Sequence, residues 1–160
     1  MPIRRIATIL AAILSFFVAG GAGAAAPAPE ELIRSCAQCH GAAGVSTTAG
    51  TPHLNGQTTD YLEQEISAIA SGERKTAVPD HVAKTWARSE ISAVAKFFAA
   101  SKALRPKQEV DAQKVAKGAE IYRQRCADCH VDGGRQSDKD APLMAAQDMA
   151  YMSAQTKLFV

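Results

Sequence analysis

The chain has 160 residues, with 18 basic and 16 acidic side chains and a formal net charge of +2. Without Arg4 and Arg5 the rest of the chain carries 16 charges of each sign, and it shows no basic stripe of the kind that follows nucleic acid. A nucleic-acid partner is therefore not expected, and the length allows one ordinary domain or two very small ones.

Residues 1–24 are predicted to be a signal peptide. Arg4 and Arg5 form a positive start, the apolar stretch 6–19 follows, and Ala22-Gly23-Ala24 has the A-x-A form of a cleavage site. The chain is therefore expected to be exported to the periplasm. An uncleaved segment is the alternative, and only in that case do we expect a membrane anchor.

A short helix predicted over 30–37 leads into the peptide Cys36-Ala37-Gln38-Cys39-His40. C-x-x-C-H is the attachment signature of c-type haem. Two thiols one helical turn apart can each add to a vinyl group of the porphyrin, and the histidine then lies beneath the iron. Cys36 and Cys39 are therefore predicted to hold a haem covalently, with His40 as the proximal iron ligand.

The rest of the chain is predicted to be mostly helical, with loops over 41–56 and 131–142. In one helix, which Ser89 is predicted to cap, four apolar residues recur on one face: Ile91, Val94, Ala95 and Phe98. Pro106 marks a linker. The predicted helices span 60–71, 90–100 and 111–126.

An internal repeat has an offset of 90 residues. Cys126-Ala127-Asp128-Cys129-His130 repeats the first motif, and three further pairs keep the same offset: Pro52 with Pro142, Gln57 with Gln147, and Tyr61 with Tyr151. Cys126 and Cys129 are therefore predicted to hold a second c-type haem, with His130 as its proximal ligand. The first copy continues beyond residue 70, whereas the second has no counterpart for that segment.

Four cysteines and two histidines could instead bind zinc or form disulfides. A thioredoxin-like redox pair would need a βαβ context, and no strand pattern surrounds either motif. The presence of two complete C-x-x-C-H copies favours haem over these alternatives.

The segment Pro52-x-Leu54-x-Gly56-Gln57 resembles the loop under the haem in class I cytochromes c. The resemblance implies an all-α fold of two tandem class I cytochrome c domains, 25–104 and 105–160, the second lacking its distal segment and C-terminal helix. It also implies that Pro52 orients His40, and that Pro142 orients His130 in the same way. Gly118 and Tyr122 resemble the helix crossing of the family.

The run Cys126–Arg135, with Gln147 and Tyr151, is similar to the cytochrome subunits of flavocytochrome c sulfide dehydrogenases, and 78–84 resembles their first distal segment. This resemblance implies a periplasmic diheme electron carrier that takes part in sulfide oxidation. The implied partner is a flavoprotein that carries the catalytic chemistry, so the chain itself is not expected to be an enzyme.

The distal ligands depart from the family, which uses a methionine sulfur. Pro79 stands where the first methionine would be, which leaves three alternatives: His81 as the distal ligand, a five-coordinate or water-bound iron, or ligation by Lys75, Lys84 or a group from elsewhere. His53 is predicted to be an exposed side chain. The second half contains three methionines that map by repeat to packing positions and are predicted to pack: Met144, Met149 and Met152.

One-electron transfer is the leading functional prediction. Two alternatives stay open at this stage. One is a haem-based ligand-binding or sensor protein with an open distal site, because neither predicted haem has a methionine at the family position. The other is a truncated product whose second haem domain is impaired.

Overall fold

The computed structural model describes residues 29–78, 81–82, 84–102 and 104–158. The predicted signal peptide and Pro79 lie outside these ranges. The described residues form no strand, which agrees with the predicted all-α class. None of their helices is long and apolar enough to cross a membrane. The helices are α1 (Pro29–His40), α2 (Thr59–Ser71), α3 (Arg88–Ala100), α4 (Ala112–Arg125), α5 (Val131–Gly134) and α6 (Met149–Thr156).

The core of the first half is formed where α3 packs against α1 and α2. The predicted apolar face of α3 is confirmed, because all four of its residues are buried. Phe98 is only 1% exposed and contacts Phe97 edge-on, with 5.1 Å between ring centroids. The buried cluster comprises Leu32, Leu62, Val94, Ala95 and Phe98.

The start of α3 differs from the prediction that Ser89 caps it. The N-cap is Ala87, and the buried carboxylate of Glu90 accepts a hydrogen bond from the Ala87 N–H at 2.5 Å. A glutamate at the third helical position can reach back in this way and satisfy a free N–H group. Ser89 already lies inside the helix, so the cap prediction was wrong by two residues.

The second half is less densely packed than the first. Helix α4 begins at its N-cap Asp111 and has no buried residue, and within the described ranges no other helix comes into close backbone contact with it. Gly118 has only open space where a side chain would project, so the predicted helix crossing at Gly118 and Tyr122 is not formed. In the first half, α1 makes the corresponding contact with α3. The described residues of the second half contain no helix equivalent to α3.

The two halves meet through a reciprocal pair of contacts made by Gln57 and Gln147. The Gln57 side chain donates to the Leu143 carbonyl (3.0 Å) and accepts from the Leu143 N–H (2.7 Å). The Gln147 side chain donates to the His53 carbonyl (2.9 Å) and accepts from the His53 N–H (2.7 Å). His53 and Leu143 are themselves 90 residues apart, so the interface has approximate two-fold symmetry.

Candidate haem centres

The first candidate centre lies at the end of α1. Cys36, Cys39 and His40 occupy positions i, i+3 and i+4 of the helix and therefore share one face. Both thiols are free, Cys36 half-buried and Cys39 exposed. The helix ends at Gly41, whose φ of +79° is the left-handed conformation that glycine adopts without strain. A side chain there would also collide with the Val45 carbonyl.

The ring of His40 is oriented by the backbone of Pro52. Nδ1 of His40 lies 2.9 Å from the Pro52 carbonyl oxygen. Because a carbonyl only accepts hydrogen bonds, Nδ1 carries the proton and Nε2 is left with a lone pair that can bind a metal. The contact implied by the family resemblance is thus confirmed for the first centre.

The environment of His40 favours its neutral form. Burial lowers the pKa of His40 below its ordinary value of 6.5, the Pro52 carbonyl opposes that shift, and the charge of His81 lowers the pKa further. Neutral imidazole is the form that binds a metal.

His81 is an exposed side chain with a defined ring orientation. Its Nδ1 lies 2.9 Å from the Val78 carbonyl and 3.3 Å from the Thr76 hydroxyl. Donation to the carbonyl leaves Nε2 unprotonated, the same arrangement that Pro52 gives His40. Lys75 and Lys84, the alternative distal ligands, are both exposed.

His53 is buried, so the prediction of an exposed side chain was wrong. Only 3% of its surface is accessible, and its Nδ1 accepts a hydrogen bond from the Ser46 N–H at 3.0 Å. The hydroxyl of Ser46 donates in turn to the Cys39 carbonyl at 2.9 Å. Sequence position alone could not reveal this burial, because the second half covers His53 through the backbone contacts of Gln147.

The second candidate centre repeats the loop of the first. The Gly134 carbonyl accepts hydrogen bonds from the N–H groups of Met144 (2.9 Å) and Ala145 (2.8 Å). In the first half the Gly44 carbonyl binds two N–H groups at the equivalent positions, those of Leu54 and Asn55. The thiols also match, because Cys126 is half-buried and Cys129 exposed, as Cys36 and Cys39 are.

His130 is held differently from His40. Helix α4 ends at Arg125, so the second motif lies in turns rather than in a helix. Nδ1 of His130 is buried without a hydrogen-bond partner among the described residues, and the predicted contact with the Pro142 carbonyl is absent. The backbone carbonyl of His130 instead accepts a hydrogen bond from the Tyr122 hydroxyl.

The methionines of the second half occupy different environments. Met144 and Met152 are half-buried, and Met149 is 46% exposed. Met144 packs beside Gly134 in the loop that follows the second motif. That contact agrees with the predicted packing role of Met144, whereas Met149 is exposed and does not fit its predicted packing role.

The residues of both centres fit a covalently attached haem. Each centre provides two free thiols three residues apart and a histidine directly after the second thiol. Across the described ranges, no group of three or more histidine, cysteine and acidic side chains is arranged as a metal-ion site. The zinc alternative therefore has no assembled cluster in this part of the chain.

Two arginines that sequence analysis did not single out bridge the halves. Arg105 binds the backbone of both halves through Asn55 and Ala145. Arg74 donates to the Tyr151 hydroxyl at 2.8 Å and to the Gln155 side chain at 3.0 Å. Neither arginine belongs to a motif, and only the docking of the halves brings their partners within reach.

Comparisons with known proteins agree with this geometry. The cytochrome c family matches residues 29–102. Cytochrome c-554(548) of Halomonas halodenitrificans is 33% identical over 76 residues, which cover 46% of this chain and 92% of the relative. The solved cytochrome c4 of Acidithiobacillus ferrooxidans aligns with a TM-score of 0.65 and 26% identity, covering 79% of this chain and 81% of that structure.

The names of two relatives refer to dehydrogenases of inorganic sulfur compounds. The thiosulfate dehydrogenase electron acceptor of Thiomonas intermedia is 29% identical over 167 residues, 98% of this chain and 76% of the relative. The cytochrome subunit of sulfide dehydrogenase of Chlorobaculum tepidum is 33% identical over 69 residues, 43% of this chain and 62% of the relative. The chain belongs to the cytochrome c family, and its fold and two attachment motifs are those of a class I electron-transfer cytochrome with two covalent c-type haems.

Proposed function

We propose that the chain is a periplasmic two-haem electron acceptor for a dehydrogenase that oxidises an inorganic sulfur compound. The observation that carries the proposal is the repeated centre, in which two thiols, a histidine and the same glycine-anchored loop occur in both halves of one two-fold interface. Haem bound at each centre supplies a reversible one-electron couple of its iron. Two such centres suit a partner that releases electrons in pairs.

Each residue of the first centre has a distinct part in this proposal. Cys36 and Cys39 hold the haem, and His40 binds its iron with the ring orientation that Pro52 imposes. His81 is the proposed distal ligand, because its Nδ1 donates to the Val78 carbonyl and its Nε2 is thereby left free to bind a metal. In the second centre Cys126, Cys129 and His130 take the equivalent parts.

The similarity favours thiosulfate dehydrogenase over a flavoprotein sulfide dehydrogenase as the partner type. The thiosulfate-linked relative matches 98% of the chain, whereas the sulfide-linked relative matches 43%. The flavoprotein implied by the sequence resemblance is therefore tested as the alternative partner.

The test is stopped-flow reduction of the mature two-haem protein by each dehydrogenase with its substrate. We expect at least one of the two enzymes to reduce both haems rapidly. Reduction by thiosulfate dehydrogenase should be faster than reduction by the flavoprotein sulfide dehydrogenase. Chemical reduction by dithionite serves as the control for haem integrity. Prompt reduction by dithionite with no reduction by either enzyme would exclude the proposed partner class.

A further inference from the structure

Arg105 connects equivalent points of the two halves. Its Nη2 donates to the Asn55 carbonyl at 2.6 Å, and its Nη1 donates to the Ala145 carbonyl at 3.0 Å. Nε donates to the Asn55 side-chain oxygen at 3.1 Å. Asn55 and Ala145 are 90 residues apart, so the guanidinium group contacts equivalent backbone positions in the two halves.

The two carbonyls belong to the loops that follow the haem-binding histidines. Asn55 lies three residues after Pro52, and Ala145 lies three residues after Pro142. The N–H groups of Asn55 and Ala145 are the ones that bind the loop-anchoring glycine carbonyls in their respective halves. Arg105 therefore holds both loops at the residues that anchor them.

The positive charge of Arg105 has only neutral hydrogen-bond partners among the described residues. Its three acceptors are two backbone carbonyls and an amide oxygen, and it forms no ion pair there. Burial lowers the pKa of Arg105 to about 10, so the group still carries its charge at neutral pH. Arg74, the other bridging arginine, is different because Glu65 pairs with it.

We propose that Arg105 is a positioning residue that fixes the two haem centres relative to each other and whose charge raises the reduction potentials of both. Reduction removes one positive charge from an iron centre, so a cation held near that centre favours the reduced state. Because the guanidinium group contacts both loops at equivalent carbonyls, both potentials shift in the same direction. This inference depends on the proposed function, since both halves must carry haem.

The experiment compares the mature wild-type protein with Arg105→Met, Arg105→Lys and Arg74→Met. Haem content is measured first by intact mass, and a wild type without two haems would reject the proposed function itself. Potentiometric titration then gives both potentials for each variant. Hydrogen exchange of the amides in residues 52–57 and 142–147 reports how firmly the two loops are held.

Arg105→Met is expected to lower both potentials and to speed exchange in both loops. Arg105→Lys keeps the charge but loses the fork geometry, so its potentials stay near wild type while exchange still accelerates. Arg74→Met is expected to leave both potentials unchanged. Unchanged potentials in a folded Arg105→Met protein, or a shift of one haem alone, would overturn the proposal.

Failure to fold is also informative in this design. If both Arg105 variants lose haem while Arg74→Met matures normally, the result supports the positioning role of Arg105. If Arg74→Met fails equally, Arg105 has no special role and the proposal is rejected.

Discussion

Gln57 and Gln147 are equivalent residues of the repeat, and each binds the backbone of the half to which it does not belong. Gln57 pairs with the peptide groups of Leu143, and Gln147 pairs with those of His53. Both side chains are buried. Each glutamine therefore makes the same kind of contact with the other half of the chain.

Replacement of either glutamine should destabilise this interface. Gln57→Ala leaves the N–H and carbonyl of Leu143 without their side-chain partner, and unmade buried hydrogen bonds cost about 1–3 kcal/mol each. Denaturant unfolding of the mature protein measures the loss. Gln64→Ala, an exposed change on α2, is the matched control and should alter stability by no more than about 0.5 kcal/mol. Equal stabilities for Gln57→Ala and Gln64→Ala would contradict the interface described here.

Phe98→Ala should destabilise the first half most strongly. The ring is almost fully buried between helices, and deletion of such a side chain typically costs about 3–5 kcal/mol. Phe97 is its neighbour but is 43% exposed, so Phe97→Ala serves as the control with a clearly smaller loss. Thermal unfolding of both variants provides the measurement. A larger loss of stability in Phe97→Ala than in Phe98→Ala would show that Phe98 is not the central residue of this core.

The helices of the first half could be predicted because they follow from local patterns. The apolar spacing from Ile91 to Phe98 defines the buried face of α3, and the repeat defines both attachment motifs. The state of His53 and the role of Arg105 could not be predicted, since both depend on contacts between residues about 40 to 100 positions apart. The predicted contact between Pro142 and His130 is absent because the second motif lies in turns beyond the end of α4.

Protonation of His53 should make stability depend on pH. Burial and then the charge of Arg105 lower the pKa of His53 from 6.5, and Asp148 opposes the shift. As the pH falls through about 6.5, His53 therefore becomes protonated in the unfolded chain while it is still neutral in the folded protein. Stability is highest above that pH and falls as the pH decreases toward the folded pKa, by at most about 1.4 kcal/mol per pH unit for one proton.

His53→Gln offers a direct check of that dependence. A glutamine oxygen can accept the Ser46 N–H bond but does not titrate. Urea unfolding between pH 7.5 and pH 5.5 should show a weaker loss of stability in His53→Gln than in wild type. Parallel pH profiles for the two proteins would show that His53 is not the titrating group.

His81→Ala should change the spectrum of the first haem if His81 is the distal ligand. Loss of the imidazole leaves an open coordination position, so a low-spin spectrum should become partly high-spin and the reduced protein should bind carbon monoxide rapidly. Lys84→Ala removes one of the alternative ligands and should leave the spectrum unchanged. Identical spectra for His81→Ala and wild type would reject histidine ligation, and rapid carbon monoxide binding by wild type would favour the ligand-binding alternative.

The intact mass of protein matured in a host that assembles c-type cytochromes shows whether the chain carries two covalent haems. We expect a mass equal to the processed chain plus two haems. Alanine substitution of Cys36 and Cys39 together should reduce that mass by one haem. A wild-type mass with no haem, or with a single haem retained, would contradict a carrier built from two covalent haem centres.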